Sequence, residues 1–351
     1  MYLDYYGLTE HPFRLAPDAD FLYMSKAHAR AKAYMDYTVL SRDGFVVLTG
    51  EIGAGKTTLL NKLLAELPDD VVVAKLFQTQ LTEQEFLEAV LTEFGVEPPR
   101  DARKVELLNA LNDFLIECYG RGERALLIVD EAQNLQHKVL EEVRLLSGLE
   151  TEKDKLISII LAGQPELAEV IDSPHMEQLA QRVRLRFHLT ALSEDETADY
   201  IRHRLEVAGV SDGEIFQPEA FPIIYEYTGG VPRLINSLCD MALLTAYVDE
   251  RPEIDADIIR AALQELDWVP YNERPLQAQR RSRGFGSERG NVVSAAFDSG
   301  NAAPAVVPAD LSDKLTRLYD FVPRMSATLM GKMRLIEEQL RDLNNELRRR
   351  R

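Results

Sequence analysis

Between the apolar run Phe45-Val46-Val47-Leu48 and the helix-forming stretch Leu59 to Leu64 lies Gly50-Glu51-Ile52-Gly53-Ala54-Gly55-Lys56-Thr57-Thr58. It meets the pattern G-x-x-x-x-G-K-[ST] at every fixed position, in the strand–loop–helix setting such a loop requires. Few features constrain a fold more, because the loop can be built only where a buried strand hands over to a helix. Gly50, Gly53 and Gly55 let backbone N–H groups wrap an anion without Cβ clashes. The new helix turns its positive end toward the same point. A lysine at position 56 reaches β- and γ-phosphates, and a hydroxyl at Thr57 ligates magnesium. The segment from Gly50 to Thr58 therefore implies bound ATP with Mg2+.

The rest of the chain reads as strands alternating with helices up to about residue 191. Val71 to Leu76, Ala125 to Val129, Leu156 to Leu161 and Arg184 to Leu189 are further strands. Ala125-Leu126-Leu127-Ile128-Val129 is continuously apolar, as expected of a parallel strand covered on both faces. Helices are expected at Lys26 to Leu40, Glu83 to Phe94, Lys104 to Tyr119 and Lys138 to Leu146 from their apolar spacing. The fold class is α/β, with a five-stranded parallel sheet flanked by helices.

From Ser193 the strands stop. Ser193-Glu194-Asp195-Glu196 opens a capping box for the helix reaching Val207. Pro218 to Tyr227, Pro232 to Val248 and Asp255 to Glu265 complete an all-α lid. The expected organisation is a lead-in over 1–41, a nucleotide-binding domain over 42–191, the lid over 192–268, a linker over 269–308 and a helical tail over 309–351. The linker is rich in Arg, Gly, Ser, Ala and Asn with no apolar period. In the tail, Leu329, Met333, Ile336, Leu340, Leu343 and Leu347 follow a heptad seam. That seam suits either a coiled coil with a protein partner or a helix folded back on its own domain.

Composition narrows the setting. The net charge of −18 is carried by the body: from Pro270 onward Lys+Arg outnumber Asp+Glu by 15 to 10, and before it acids lead by 48 to 25. Such a body disfavours broad nucleic-acid binding. Cys118 and Cys239 both fall in helical patterns, where packing is their role, and no metal-ligand spacing occurs. With neither a secretory leader nor a membrane-length apolar run, a cytoplasmic location is expected, peripheral to the inner membrane at most.

Further site residues come from strand ends. Asp130 and Glu131 follow the third strand directly, beside the phosphate loop, where open α/β sheets bind ligands. Asp130 is expected to hold magnesium and Glu131 to polarise the attacking water, roles that both need a carboxylate. Gln164 is either part of a Gly-Gln-Pro turn or a water-orienting group from the adjacent strand tip. Arg182 and Arg184 end a helix just before the fifth strand, placed to face a neighbouring subunit or simply solvent. Arg233, next to Pro232 at a helix start, projects toward the cleft as a phosphate sensor.

Taken in order, these blocks resemble the AAA+ ATPases, and more narrowly the ExeA-type ATPases named for general secretion pathway protein A. Tyr5-Tyr6-Gly7-Leu8 with Pro12-Phe13, Pro17-Asp18, Phe21-Leu22-Tyr23 and Val129-Asp130-Glu131-Ala132-Gln133-Asn134-Leu135 carry the resemblance. So do Gly163-Gln164-Pro165-Glu166-Leu167, Gln181-Arg182-Val183 and Gly229-Gly230-Val231-Pro232-Arg233-Leu234-Ile235-Asn236. The resemblance implies ATP hydrolysis at the subunit interfaces of a homo-oligomer, ring or filament, with Arg182 as the trans-acting arginine. It also implies service to protein secretion or polysaccharide export at the envelope. A DNA-associated switch that recruits a recombinase or transposase is the alternative. No peptidoglycan-binding domain is recognisable after the lid, so the exosortase-associated type is the nearer architecture.

Overall fold

The computed structural model describes residues 2–41, 44–77, 79–210 and 215–274. Five strands form one wholly parallel sheet: β1 (Phe45–Gly50), β2 (Val71–Leu76), β3 (Arg124–Val129), β4 (Ile157–Gly163) and β5 (Leu185–Leu189), in the order β2-β3-β4-β1-β5. The continuous apolar runs occupy the centre, where β1 and β4 are buried along their full length. At the edge, β5 shows alternating exposure and keeps only one face covered.

The period of two in each strand sorts its side chains into two apolar layers. Val47, Leu127, Val129, Ile159 and Leu161 face one way, onto α4 (Glu83–Glu93), α5 (Lys104–Gly120) and α6 (His137–Leu146). Val46, Leu48, Leu126, Ile128 and Ile160 face the other way, onto α2 (Lys26–Ser41) and α3 (Lys56–Ala65). Between β4 and β5 come two short helices, α7 (Glu166–Ile171), which periodicity did not resolve, and α8 (Glu177–Ala180), which stops just short of Arg182.

The lid consists of α9 (Glu194–Val207), α10 (Ala220–Thr228), α11 (Pro232–Val248) and α12 (Ala256–Glu265). Ser193 caps α9 as the sequence predicts: its Oγ accepts from Glu196 N at 3.2 Å, while Glu196 accepts from Ser193 N at 3.1 Å. Asp255 caps α12 through the N–H groups of Asp257 and Ile258. The lead-in divides. Its first helix, α1 (Tyr2–Tyr6), packs with Leu8, Phe13 and Phe21 into the lid's apolar core, and only α2 belongs to the sheet. Aromatic side chains at 2, 13 and 21 find their cover there.

Residues 269–274, expected to open the linker, dock on the lid instead. The Arg274 guanidinium lies 4.4 Å from the Trp268 ring and donates to Tyr227 O at 2.8 Å. The remainder of the expected linker and the heptad tail lie outside the described residues. Among the described residues no helix is long and apolar enough to cross a membrane. Cys118 and Cys239 are buried free thiols, as their helical spacing suggests.

Candidate functional site

Strand register brings the site together. Thr49 of β1 sits beside Gly163 of β4, and Val129 of β3 beside Leu161 of β4. The chain segments that leave these three strands at their carboxyl ends, headed by Gly50, Gln164 and Asp130, therefore emerge at one edge of the sheet. The lid closes over that edge, leaving a cleft of about 380 Å³. Ile52, Gly53, Gly55, Lys56, Thr57 and Thr58 line it, facing Glu131, Gln164 and Arg233.

The loop has the backbone its glycines permit. Gly53 and Gly55 have φ of 84° and 98°, a region costly for any residue with a Cβ. Gly55 is the N-cap of α3, so the helix starts at the cleft with its first N–H groups free for an anion. Lys56 is buried and donates from Nζ to Gly50 O at 2.7 Å and Glu51 O at 3.1 Å. Burial pulls its ammonium below the ordinary lysine value, while the carboxylates of Glu131, Asp130, Glu51 and Glu166 act in the opposite direction. Gly50, Glu51 and Ala54 shape the loop without lining the cleft.

Asp130 is 2% exposed and lies under the cleft, where its Oδ2 accepts from Thr57 Oγ1 at 2.8 Å. This hydroxyl–carboxylate pair is an all-oxygen donor set of the kind that suits magnesium beside phosphates. Among the described residues no group of three or more His, Cys, Asp or Glu gathers elsewhere to hold a metal. Glu131 adopts φ 54°, ψ 35°, left-handed and unusual for glutamate. Its Oε2 accepts from Gln133 Nε2 at 2.7 Å.

Arg233 arrives from the lid. Its backbone N–H donates to Gly53 O at 3.2 Å, and a Cβ on Gly53 would stand 2.4 Å from that of Arg233. The first turn of α11 thus rests directly on the phosphate loop. Arg182 and Arg184 do not reach the cleft of their own chain: both are exposed, between α8 and the start of β5.

Several cleft residues escape sequence reasoning. Arg14 to Asp18 of the lead-in form one wall. Asn236 donates to Arg14 O at 3.2 Å and accepts from Tyr200 Oη at 2.8 Å. Buried Arg204 donates to Tyr200 Oη at 2.8 Å and to Pro12 O, with its guanidinium over the Phe21 ring. A tyrosine and an arginine four apart on the buried face of α9 were the available signal. Behind the loop, His28 donates from Nε2 to Ala54 O at 3.2 Å, and its Nδ1 pairs with Ser25 Oγ at 2.7 Å.

Comparison with known proteins gives consistent results. A family profile described as an AAA domain matches residues 39–171. General secretion pathway protein A of Aeromonas hydrophila is 42% identical over 269 residues, covering 77% of this chain and 49% of that protein. The chain thus spans about half the length of this relative. ATP-dependent target DNA activator B of Escherichia phage Mu is 26% identical over 232 residues, 64% of this chain and 67% of that protein. The crystal structure of Cdc6p from Pyrobaculum aerophilum superposes with a TM-score of 0.55 at 18% identity, covering 71% of each chain, a likeness of fold.

Proposed function

The chain belongs to the ExeA-type AAA+ ATPases, and from that premise we propose that it hydrolyses Mg-ATP in the cleft between sheet and lid to drive an envelope process. The observation that carries the reading is the convergence of Lys56, Thr57, Asp130, Glu131, Gln164 and Arg233 on one cleft from four separate chain segments. Loop N–H groups and the Lys56 ammonium bind the β- and γ-phosphates. Lys56 gives up its two carbonyl contacts for phosphate oxygens of higher charge. Thr57 and Asp130 hold magnesium, which supplies charge neutralisation on the phosphates when bound.

Glu131 accepts the proton of the attacking water, and Gln164 orients that water from the tip of β4. Arg233 reads the γ-phosphate from the lid, so the backbone contact with Gly53 couples lid position to the nucleotide. Arg182 completes the site of the next copy in a homo-oligomer, to which its exposure on the sheet domain is suited. Glu131→Gln is expected to bind ATP normally and turn it over about 10²- to 10⁴-fold more slowly. Filter binding and phosphate release on the purified variant check this. Near wild-type turnover would remove Glu131 from the mechanism.

The envelope process we favour is protein secretion or polysaccharide export, motivated by the 42% identity to a secretion pathway protein. Deleting the gene and complementing with wild type or Glu131→Gln tests it, with exported protein and polysaccharide as readouts. Unchanged export would overturn it. A DNA-associated switch is the second reading, favoured by the similarity to a target DNA activator. Salt-dependent DNA retention by the purified protein separates the two.

A further inference from the structure

Gln133 lies outside the cleft, yet it holds two groups that line it. Its Nε2 donates to Glu131 Oε2 at 2.7 Å, and its Oε1 accepts from the backbone N–H of Gln164 at 2.9 Å. One primary amide thus spans the turn after β3 and the turn after β4. The two contacts need opposite polarity, donor toward a carboxylate and acceptor toward an N–H, which fixes the orientation of the amide.

The surroundings are built around it. Gly163 closes β4, and a Cβ there would stand 2.8 Å from Gln133 Oε1 and 3.2 Å from Gln133 N. A glycine at 163 is what lets the turn carrying Gln133 approach this closely. Glu131 is held left-handed at φ 54°, a strained conformation that the surrounding turn must hold in place. The Glu131 carbonyl accepts from Asn134 N at 3.1 Å, so Glu131 and Gln133 sit in one short turn. Glu131 Oε1, in contrast, accepts no hydrogen bond among the described residues and is available to water.

We propose that Gln133 is a positioning residue that locks the Glu131 carboxylate to the Gln164 turn, so that the water-activating group and the γ-phosphate side of the cleft move as one unit. The inference rests on the reading of Glu131 as the base. Fixing one oxygen of Glu131 presents the other to water at a constant place. Tying the same amide to the Gln164 backbone makes that place depend on where the β4 tip sits, and hence on the phosphate it touches. A misplacement of about 1 Å at a reacting group costs on the order of 100-fold in rate.

The test compares steady-state Mg-ATP turnover and nucleotide binding in the full chain. Wild-type turnover, lowered about 10²- to 10⁴-fold in Glu131→Gln, establishes the underlying reading first; a chain without turnover refutes that reading and leaves the Gln133 contacts unchallenged. Gln133→Ala and Gln133→Glu are then expected to lower kcat about 10- to 100-fold with KM and ATP affinity within about twofold. Gln133→Glu keeps the size and loses the donor, so it separates polarity from packing. Adding Gln133→Ala to Glu131→Gln is expected to cost clearly less than the product of the two single losses, since Gln133 acts through that carboxylate. Wild-type kcat in either Gln133 variant, a fall in kcat matched by lost ATP binding, or multiplicative losses in the double variant would each overturn the proposal.

Discussion

His28 shows how one buried side chain can set conditions for a whole loop. It is 2% exposed, with Nε2 donating to the phosphate-loop carbonyl of Ala54 and Nδ1 paired with the Ser25 hydroxyl. Ala54 O can only accept, so Nε2 carries a proton, while Ser25 Oγ can donate to Nδ1 of the neutral ring. Burial pushes its pKa below the ordinary 6.5, outweighing the contact with Ala54 and the charge of Glu196. The sign follows from proton binding. Below pH 6.5 the unfolded chain takes up a proton that the folded ring refuses, so stability falls as pH drops through that value, by at most about 1.4 kcal/mol per pH unit. Between pH 7.5 and pH 5.5, conditions chosen to bracket about 6.5, the wild type is therefore expected to lose more thermal stability than His28→Gln. Equal losses in paired melts would show that another group carries the proton.

At the scale of elements, the junction that matters is the first turn of α11 on the phosphate loop. Gly53 has no room for a Cβ against Arg233 and sits at φ 84°. Gly53→Ala adds about 1–2 kcal/mol of backbone strain and wedges the lid away. ATP affinity is expected to fall about tenfold or more, whereas Gly95→Ala, with a similar φ and nothing within 4 Å, strains only its own surface turn. Isothermal titration with a non-hydrolysable analogue distinguishes the pair. This junction also marks where the sequence was legible. Gly50 to Thr58, Asp130-Glu131 and Pro232-Arg233 each announce themselves locally, by spacing or by position at a strand or helix end. Arg14, Tyr200, Arg204 and Asn236 do not, because what brings them to the cleft is the docking of the lead-in onto the lid. Periodicity finds which face of α9 is buried; it carries no term for what lies on the other side. The short helix α7 was missed for a related reason, since six residues hold too little period to register.

For the whole molecule, the role proposed for the exposed Arg182 would make activity a property of more than one chain. Turnover is expected to rise faster than linearly with protein concentration. Arg182→Ala mixed with Lys56→Ala should regain part of the activity that each lacks, as each supplies the group missing in the other. A dead mixture, with Arg184→Ala rescuing Lys56→Ala instead, would move the trans-acting role to Arg184. Every residue lining the cleft lies between Arg14 and Asn236, and the lid is sealed by Arg274 against Trp268 and Tyr227. A chain ending at Arg274 is accordingly expected to fold, bind ATP and keep basal turnover, with its oligomer distribution or partner altered. Light scattering with nucleotide binding checks both halves. Loss of binding in a folded truncation would place part of the catalytic unit in the tail.

The lid draws on both ends of the described chain: Tyr2 donates to Asp240, 238 positions away, Tyr6 to Arg251 O, and Thr9 to Ala208 O. During synthesis the aromatic segment 2–23 leaves the ribosome first and meets its partners last. The sheet and its two covering layers need nothing beyond β5, so they can assemble while those aromatics are still waiting. A product broken off before Pro232 would own an intact phosphate loop with no roof above it. Tight nucleotide retention is thereby expected only of a chain long enough to set Arg233 on Gly53.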